Sequence, residues 1–208
     1  MQLRQAAQDR FLTKYAYSMR GVRWEAIVKH VKLAKNYISE DRLRFIFTEF
    51  FEPTTMKKTM WELPQVYFDF LLEDEDARKA LIESAPSFIF DVLTFERAQV
   101  RVWAKLRDNS RPPEGSLLVH RAYEIVDLDH DILDLLNRLT GEETFGNAPV
   151  PVARQVKILI LPQAQTKNCR FFEVNDELQA FLDGQLTGAR SENRPEFYAD
   201  LVSIGLCL

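Results

Sequence analysis

At 208 residues, with 46% hydrophobic and 12% aromatic side chains, the chain can bury one large core or two small ones. A formal net charge of −4 argues against the basic footprint of a nucleic-acid binder, and no run of about 18 apolar residues offers a membrane span. Fifteen Phe against seven Gly favour packed helices over a glycine-built loop site, and two cysteines make no disulfide framework, so a cytoplasmic, reduced setting is expected.

Leu3 to Tyr17 carries Leu3, Ala7, Phe11 and Tyr15 at helical spacing, and this charged start lacks the apolar core of a signal peptide. Gly21 is expected to interrupt. Trp24, Ile27, Val28, Val31, Ala34 and Ile38 then mark a second helix, with Lys29, Lys32 and Lys35 outside. Ser39 or Asp41 can cap a third, turning Leu43, Ile46, Phe47 and Phe50 inward until Pro53 ends it. A fourth helix runs from Thr59 to Leu72 with Pro64 in its first turns, and an acidic turn leads to a short fifth from Ala77 to Ile82.

The longest apolar-periodic run is Pro86 to Arg107. Phe88, Val92, Phe95, Val102 and Leu106 recur at helical spacing, with Ile89, Leu93, Val100 and Trp103 beside them. A stripe this wide belongs at the centre of a bundle. Glu96 lies inside the stripe, and a carboxylate buried alone costs several kcal/mol; a partner is expected, such as a bundle Arg or Lys.

Asp108 to Ser116, with two prolines and a glycine, reads as a boundary between an α-helical domain at 1–110 and a small α+β domain at 117–208. Leu117 to Leu128 alternates imperfectly and is expected to be a strand. Asp129 then caps a helix from Asp131 to Leu139 that stops at Gly141. Gln155 to Leu161 is the strongest strand, and a turn at Gln163 to Asn168 joins it to Cys169–Val174 as a hairpin. Asn175 or Asp176 caps a helix ending at Gly184, and Pro195 opens a last one. The fold class is therefore α+β: a helical bundle, then strand, helix, two strands and two helices.

Catalytic and metal signatures are missing. His30, His120 and His130 form no paired metal spacing, and Cys169 and Cys207 lie far apart. Asp127, Asp129, His130 and Asp131 cluster, but acids at a helix start favour its dipole without any metal. Neither a phosphate-cradling glycine loop nor a G-x-S-x-G elbow is present. No metal ligand and no catalytic residue is assigned, and the chain does not read as an enzyme. Lys29, His30, Lys32, Lys35, Lys57 and Lys58 form a basic run, and a strand-and-helix C-terminus permits a winged helix. A DNA-binding regulator is therefore the alternative reading.

Peptide recognition fits better. A short sheet with an edge beside a helix can capture an extended peptide, its backbone pairing while a groove selects alternate side chains. Ile158, Ile160, Cys169, Phe171, Phe172 and Val174 are the candidate peptide-binding residues. Trp61 and Tyr67 are candidates for a partner interface, because aromatics are enriched at interface anchors.

The stretches FFEPTTMKKTMWELPQVYFDFLLE, APSFIFDVLTFERAQVRVW and VKILILPQ…FFEVNDELQAFLDGQLTG…FYADLVSIGLCL resemble the partner subunits of multinuclear non-haem iron oxidative (MNIO) enzymes. These are the HvfC-, MbnC- and TglI-type proteins of ribosomal peptide (RiPP) maturation. The resemblance covers about residues 45 to 208. Asp91 and Glu96 stand where that family's "D/A-x-x-x-x-E" helix carries its acids, here in a structural role, and Glu177, Phe181 and Gly184 match its ending loosely. The start departs from the HvfC type, whose N-terminal region is rich in Pro and Ala, and tilts the resemblance toward the shorter MbnC- and TglI-type partners. The resemblance implies a winged-helix-like RiPP recognition element after the helical domain and a heterodimer with a triosephosphate-isomerase-barrel enzyme. It implies no cofactor in this chain, the iron belonging to that partner. It also implies binding of a cysteine-containing precursor peptide, with no nucleic acid and no membrane.

Overall fold

The computed structural model describes residues 18–51, 58–108, 122–163, 168–187 and 198–203. The architecture is mixed α+β, with a small antiparallel sheet. The described residues fall into two compact units. One lies within Met1–Glu96 and Glu142–Ala148, the other within Arg97–Gly141 and Pro149–Leu208. The expected first helix, up to residue 17, lies outside the described residues, as does the 108–116 linker apart from Asp108.

The first unit opens on helix α1, described over residues 18–28. Gly21 does not interrupt it. A Cβ built on Gly21 meets nothing within 4 Å. Gly21→Ala is therefore expected to stabilise the chain by about 0.5–1 kcal/mol, because alanine restricts the unfolded backbone without a clash. Denaturant titration checks this, and an unchanged or lowered midpoint would mean that the helix does not include this position.

α1 stops at residue 28, ten residues short of the expected Ile38, and the reason lies far away in sequence. Glu96 is only 3% exposed. Its Oε1 accepts the Leu33 N–H at 2.5 Å and its Oε2 accepts the Ala34 N–H at 3.4 Å. Those donors are turned away from a continuing helix, and the chain passes through tight turns into the 3-10 helix Ala34–Asn36 instead. The expected partner of Glu96, a side-chain cation, is thus replaced by backbone N–H groups, with the Lys32 charge adding to them.

Ser39 caps α2, Glu40–Ile46, its Oγ accepting the Arg42 N–H. α2 passes into the π-helical turn Phe47–Phe51, which buries Phe47 and Phe51. The side chain of Phe50, expected inward, lies outside what is described. α3, Leu63–Glu73, takes Pro64 in its first turn, where a missing N–H costs nothing. The acidic turn narrows to one residue, Asp74, which ends α3 and caps α4, Glu75–Ile82, by accepting the Asp76 and Ala77 N–H groups. α5, Ile89–Arg107, begins in the first unit and ends in the second; of the expected stripe it buries Ile89, Val92, Leu93, Phe95, Val100 and Val102, while Trp103 and Leu106 are half-buried. Asp91 is half-buried in its first turn.

In the second unit, β1 (Glu124–His130), β2 (Ala153–Gln163) and β3 (Asn168–Glu173) form an antiparallel sheet in chain order. The first strand thus runs two residues beyond the expected Leu128, and its expected start at 117–121 is outside the described residues. The helix cap moves with it. Asp131, not Asp129, caps α6 (Ile132–Arg138), its Oδ1 accepting the Asp134 N–H at 2.9 Å. Gly141, at φ +87°, turns the chain beyond α6 in the left-handed region that suits glycine. α7 spans Asp176–Thr187 and α8 Tyr198–Ser203. Gly184, expected as the stop of α7, lies inside it.

Candidate peptide-binding surface

Strand alternation decides what each candidate can do. Leu159, Leu161 and Val174 share a buried cluster with Tyr123, Leu182 of α7, and Tyr198 and Leu201 of α8; Ile125, Phe172, Leu178 and Phe181 pack at its margin. Ile158, Ile160, Cys169 and Phe171 alternate with these residues and stand on the opposite face. The six peptide-binding candidates therefore do not make one surface. Phe172 and Val174 belong to the α7 face, and the other four to its reverse.

Exposure narrows them further. Ile158 and Ile160 are 0% exposed in the central strand and Val174 is buried, so none of the three side chains is offered to a ligand. The strong apolar run of β2 reflects a strand covered on both faces. Cys169, Phe171 and Phe172 in β3 are half-buried. Of the proposed interface aromatics, Trp61 is 75% exposed, ahead of α3. Tyr67 is 0% exposed and is core rather than interface, because its place on α3 points it into an aromatic cluster with Trp24, Phe47 and Phe51.

The hairpin is locked at one end by a residue the sequence reading did not single out. Arg154 donates from Nε to Asp131 Oδ2 at 2.9 Å, and from Nη1 to Glu173 Oε1 at 2.9 Å. One guanidinium thus ties the start of β2 to the cap of α6 and to the end of β3, a fork that lysine cannot reproduce. Burial pushes the Asp131 carboxyl up, but the N–H groups of Asp134 and Leu133 together with Arg154 outweigh it, and the net shift is downward. No spacing rule links positions 131, 154 and 173, which is why the clamp is invisible before the strands are paired.

Asn175 caps α7, its Oδ1 accepting the Leu178 N–H at 2.8 Å. A hollow of about 470 Å³ opens there, lined by Glu173, Val174, Asn175 and Leu178. A second, of about 480 Å³, is polar and includes Asp127, Asp129, Gln155, Lys157, Glu173 and Asp176 in its lining. Among the described residues, no group of three or more His, Cys, Asp or Glu side chains is placed to hold a metal ion, and no helix is long and apolar enough to cross a membrane.

No protein-family model matches the chain, and no curated protein matches it.

Proposed function

We propose that the chain is a non-catalytic partner subunit that binds the leader of a ribosomally made precursor peptide and presents its cysteine to a multinuclear non-haem iron oxidative enzyme. The observation that carries this reading is the β2–β3 hairpin with α7 following it. β3 is a terminal strand of the sheet, and half-buried Phe172, Leu178 and Phe181 pack at the margin of the buried cluster that the sheet shares with α7 and α8. Such a strand and groove suit capture of an extended peptide, the backbone supplying affinity and the apolar positions register. In this reading the second unit serves as a winged-helix-like recognition element, and exposed Trp61 anchors the enzyme. The iron belongs to the enzyme, and a docked leader raises the local concentration of the reacting cysteine there.

The test uses the purified chain, its enzyme partner and a cysteine-containing precursor. Binding of both at micromolar concentration is expected, and binding of neither overturns the reading. The placement on β3 has its own test. The Val174 N–H donates to the Lys157 carbonyl at 2.8 Å, so by alternation the Phe171 N–H points away from β2. Phe171→Pro therefore keeps the hairpin ladder while removing a donor from the outer edge. Leader affinity is expected to fall about tenfold or more with enzyme binding unchanged, measured by fluorescence anisotropy. Equal loss of both, or of neither, counts against β3 as the leader strand.

A further inference from the structure

The sheet has a second edge, and part of its backbone, at Ile125 and Asp127, is open among the described residues. Because the Lys157 carbonyl faces β3, the alternate residues of β2, Val156, Ile158 and Ile160, face β1. They pair with Leu128, Val126 and Glu124, which leaves the N–H and C=O of Tyr123, Ile125 and Asp127 directed outward. Lys105 of α5 takes the Tyr123 carbonyl at 2.9 Å and ion-pairs with Glu124 at 2.9 Å, closing the start of that edge. Beyond it, the outward groups of Ile125 and Asp127 meet no hydrogen-bond partner among the described residues.

We propose that the outer edge of β1 is a strand-addition site for an extended peptide segment that continues the antiparallel sheet, in which a basic residue is followed, in strand register, by an apolar pair. The edge dictates that chemistry. Ile125 and Val126 are half-buried, one on each face, so residues laid beside them are favoured when apolar. Asp127 is exposed, with 81% of its side chain open to solvent and its nearest cation, the Lys157 ammonium, at 3.8 Å on the inner side. A neighbour added on its outer side sits at the distance where opposite charges stabilise and like charges oppose pairing. This site is separate from the leader surface proposed on β3. An acid on a sheet edge can also serve only to prevent pairing between copies of the chain, and the experiment separates the two roles.

The probe is a fluorescein-labelled peptide, Thr-Lys-Val-Val-Thr-Lys, titrated into the full chain. Two companions carry glutamate in place of lysine, or N-methyl groups on the backbone nitrogens facing the edge. Binding of the lysine peptide is expected to weaken at least tenfold in both companions, with slowed hydrogen exchange at the Ile125 and Asp127 amides. Asp127→Lys is expected to reverse the preference toward the glutamate peptide; Asp127→Asn, a milder change on an exposed side chain, is expected to narrow the preference without reversing it. Phe171→Pro should leave all these affinities unchanged, so failure of the β3 reading and failure of this one are distinguishable. Equal affinity for the N-methylated peptide overturns the proposal, as does no binding of the lysine peptide at millimolar concentration. It is equally overturned if Asp127→Asn forms dimers while peptide affinity stays the same, since the acid then only blocks self-pairing.

Discussion

Raising the pH from about 6.5 to about 8 is expected to destabilise the wild-type chain, and Glu96→Gln is expected to flatten that slope. Burial pushes the Glu96 carboxyl up to about 8, against the opposing pull of the Leu33 and Ala34 N–H groups. Unfolded, it titrates near its ordinary 4.5. Between those values the folded chain holds a proton that the unfolded chain has lost. Stability from this group is therefore complete below about 4.5 and is lost as pH rises through about 8. At ~1.4 kcal/mol per pH unit, the whole window spans several kcal/mol.

His30 acts with the opposite sign in the lower part of the window. Burial, with Lys29 and Lys32 beside it, lowers its imidazole from 6.5 to about 4, so its contribution is present above 6.5 and lost as pH falls toward 4. The clean readout is thus the wild-type-minus-variant difference in unfolding free energy across pH 6.5–8.5. If Glu96→Gln and wild type show parallel profiles there, the carboxyl is ionised throughout and the expectation is wrong. Glu96→Ala should be worse than Glu96→Gln at every pH. It empties a buried volume and strands two backbone donors, each costing ~1–3 kcal/mol.

Much of the helical unit was legible from apolar spacing and caps. Ser39 caps α2, and Asn175 caps α7 in the second unit, where a short polar side chain precedes a periodic run, and most of the α5 stripe is buried as its spacing requires. What escaped was non-local. α1 ends early because an acid some 60 positions away takes its amides, and periodicity within residues 24–38 carries no trace of that. Glycine at positions 21 and 184 predicts breaks, yet each lies inside a helix, where a glycine is tolerated at a cost near 1 kcal/mol. For the candidate site, the β2–β3 hairpin was legible from its flanking turn residues. Its faces were not. Period two separates Ile158 and Ile160 from Leu159 and Leu161, but all four are buried, and the strand itself does not say what covers each side. The open edge of β1 was hidden for the same reason, since it depends on which carbonyl of β2 faces which neighbour.

Tyr67 sets the other large expectation. It is fully buried at the centre of the first unit's aromatic cluster, with ring centroids 5.1 Å from Phe51, 6.1 Å from Phe47 and 6.3 Å from Trp24. Its hydroxyl donates to the Leu43 carbonyl at 2.8 Å, which joins α3 to α2, and burial holds the phenol well above its ordinary range. Tyr67→Ala removes the ring on which three aromatic neighbours pack, and large-to-small core changes of this kind cost ~3–5 kcal/mol. In a chain of this size that corresponds to a Tm lowered by roughly 10 °C. Tyr67→Phe separates packing from hydrogen bonding. The Leu43 carbonyl keeps the Phe47 N–H as a second donor, so loss of the hydroxyl should cost only ~1 kcal/mol. The ratio of the two effects is the decisive reading. A Tyr67→Phe variant as damaged as Tyr67→Ala would make the α2–α3 hydrogen bond, rather than ring packing, the dominant interaction. If Tyr67→Ala keeps the wild-type Tm but loses enzyme binding, Tyr67 is an interface anchor after all and the buried aromatic cluster does not describe the chain in solution.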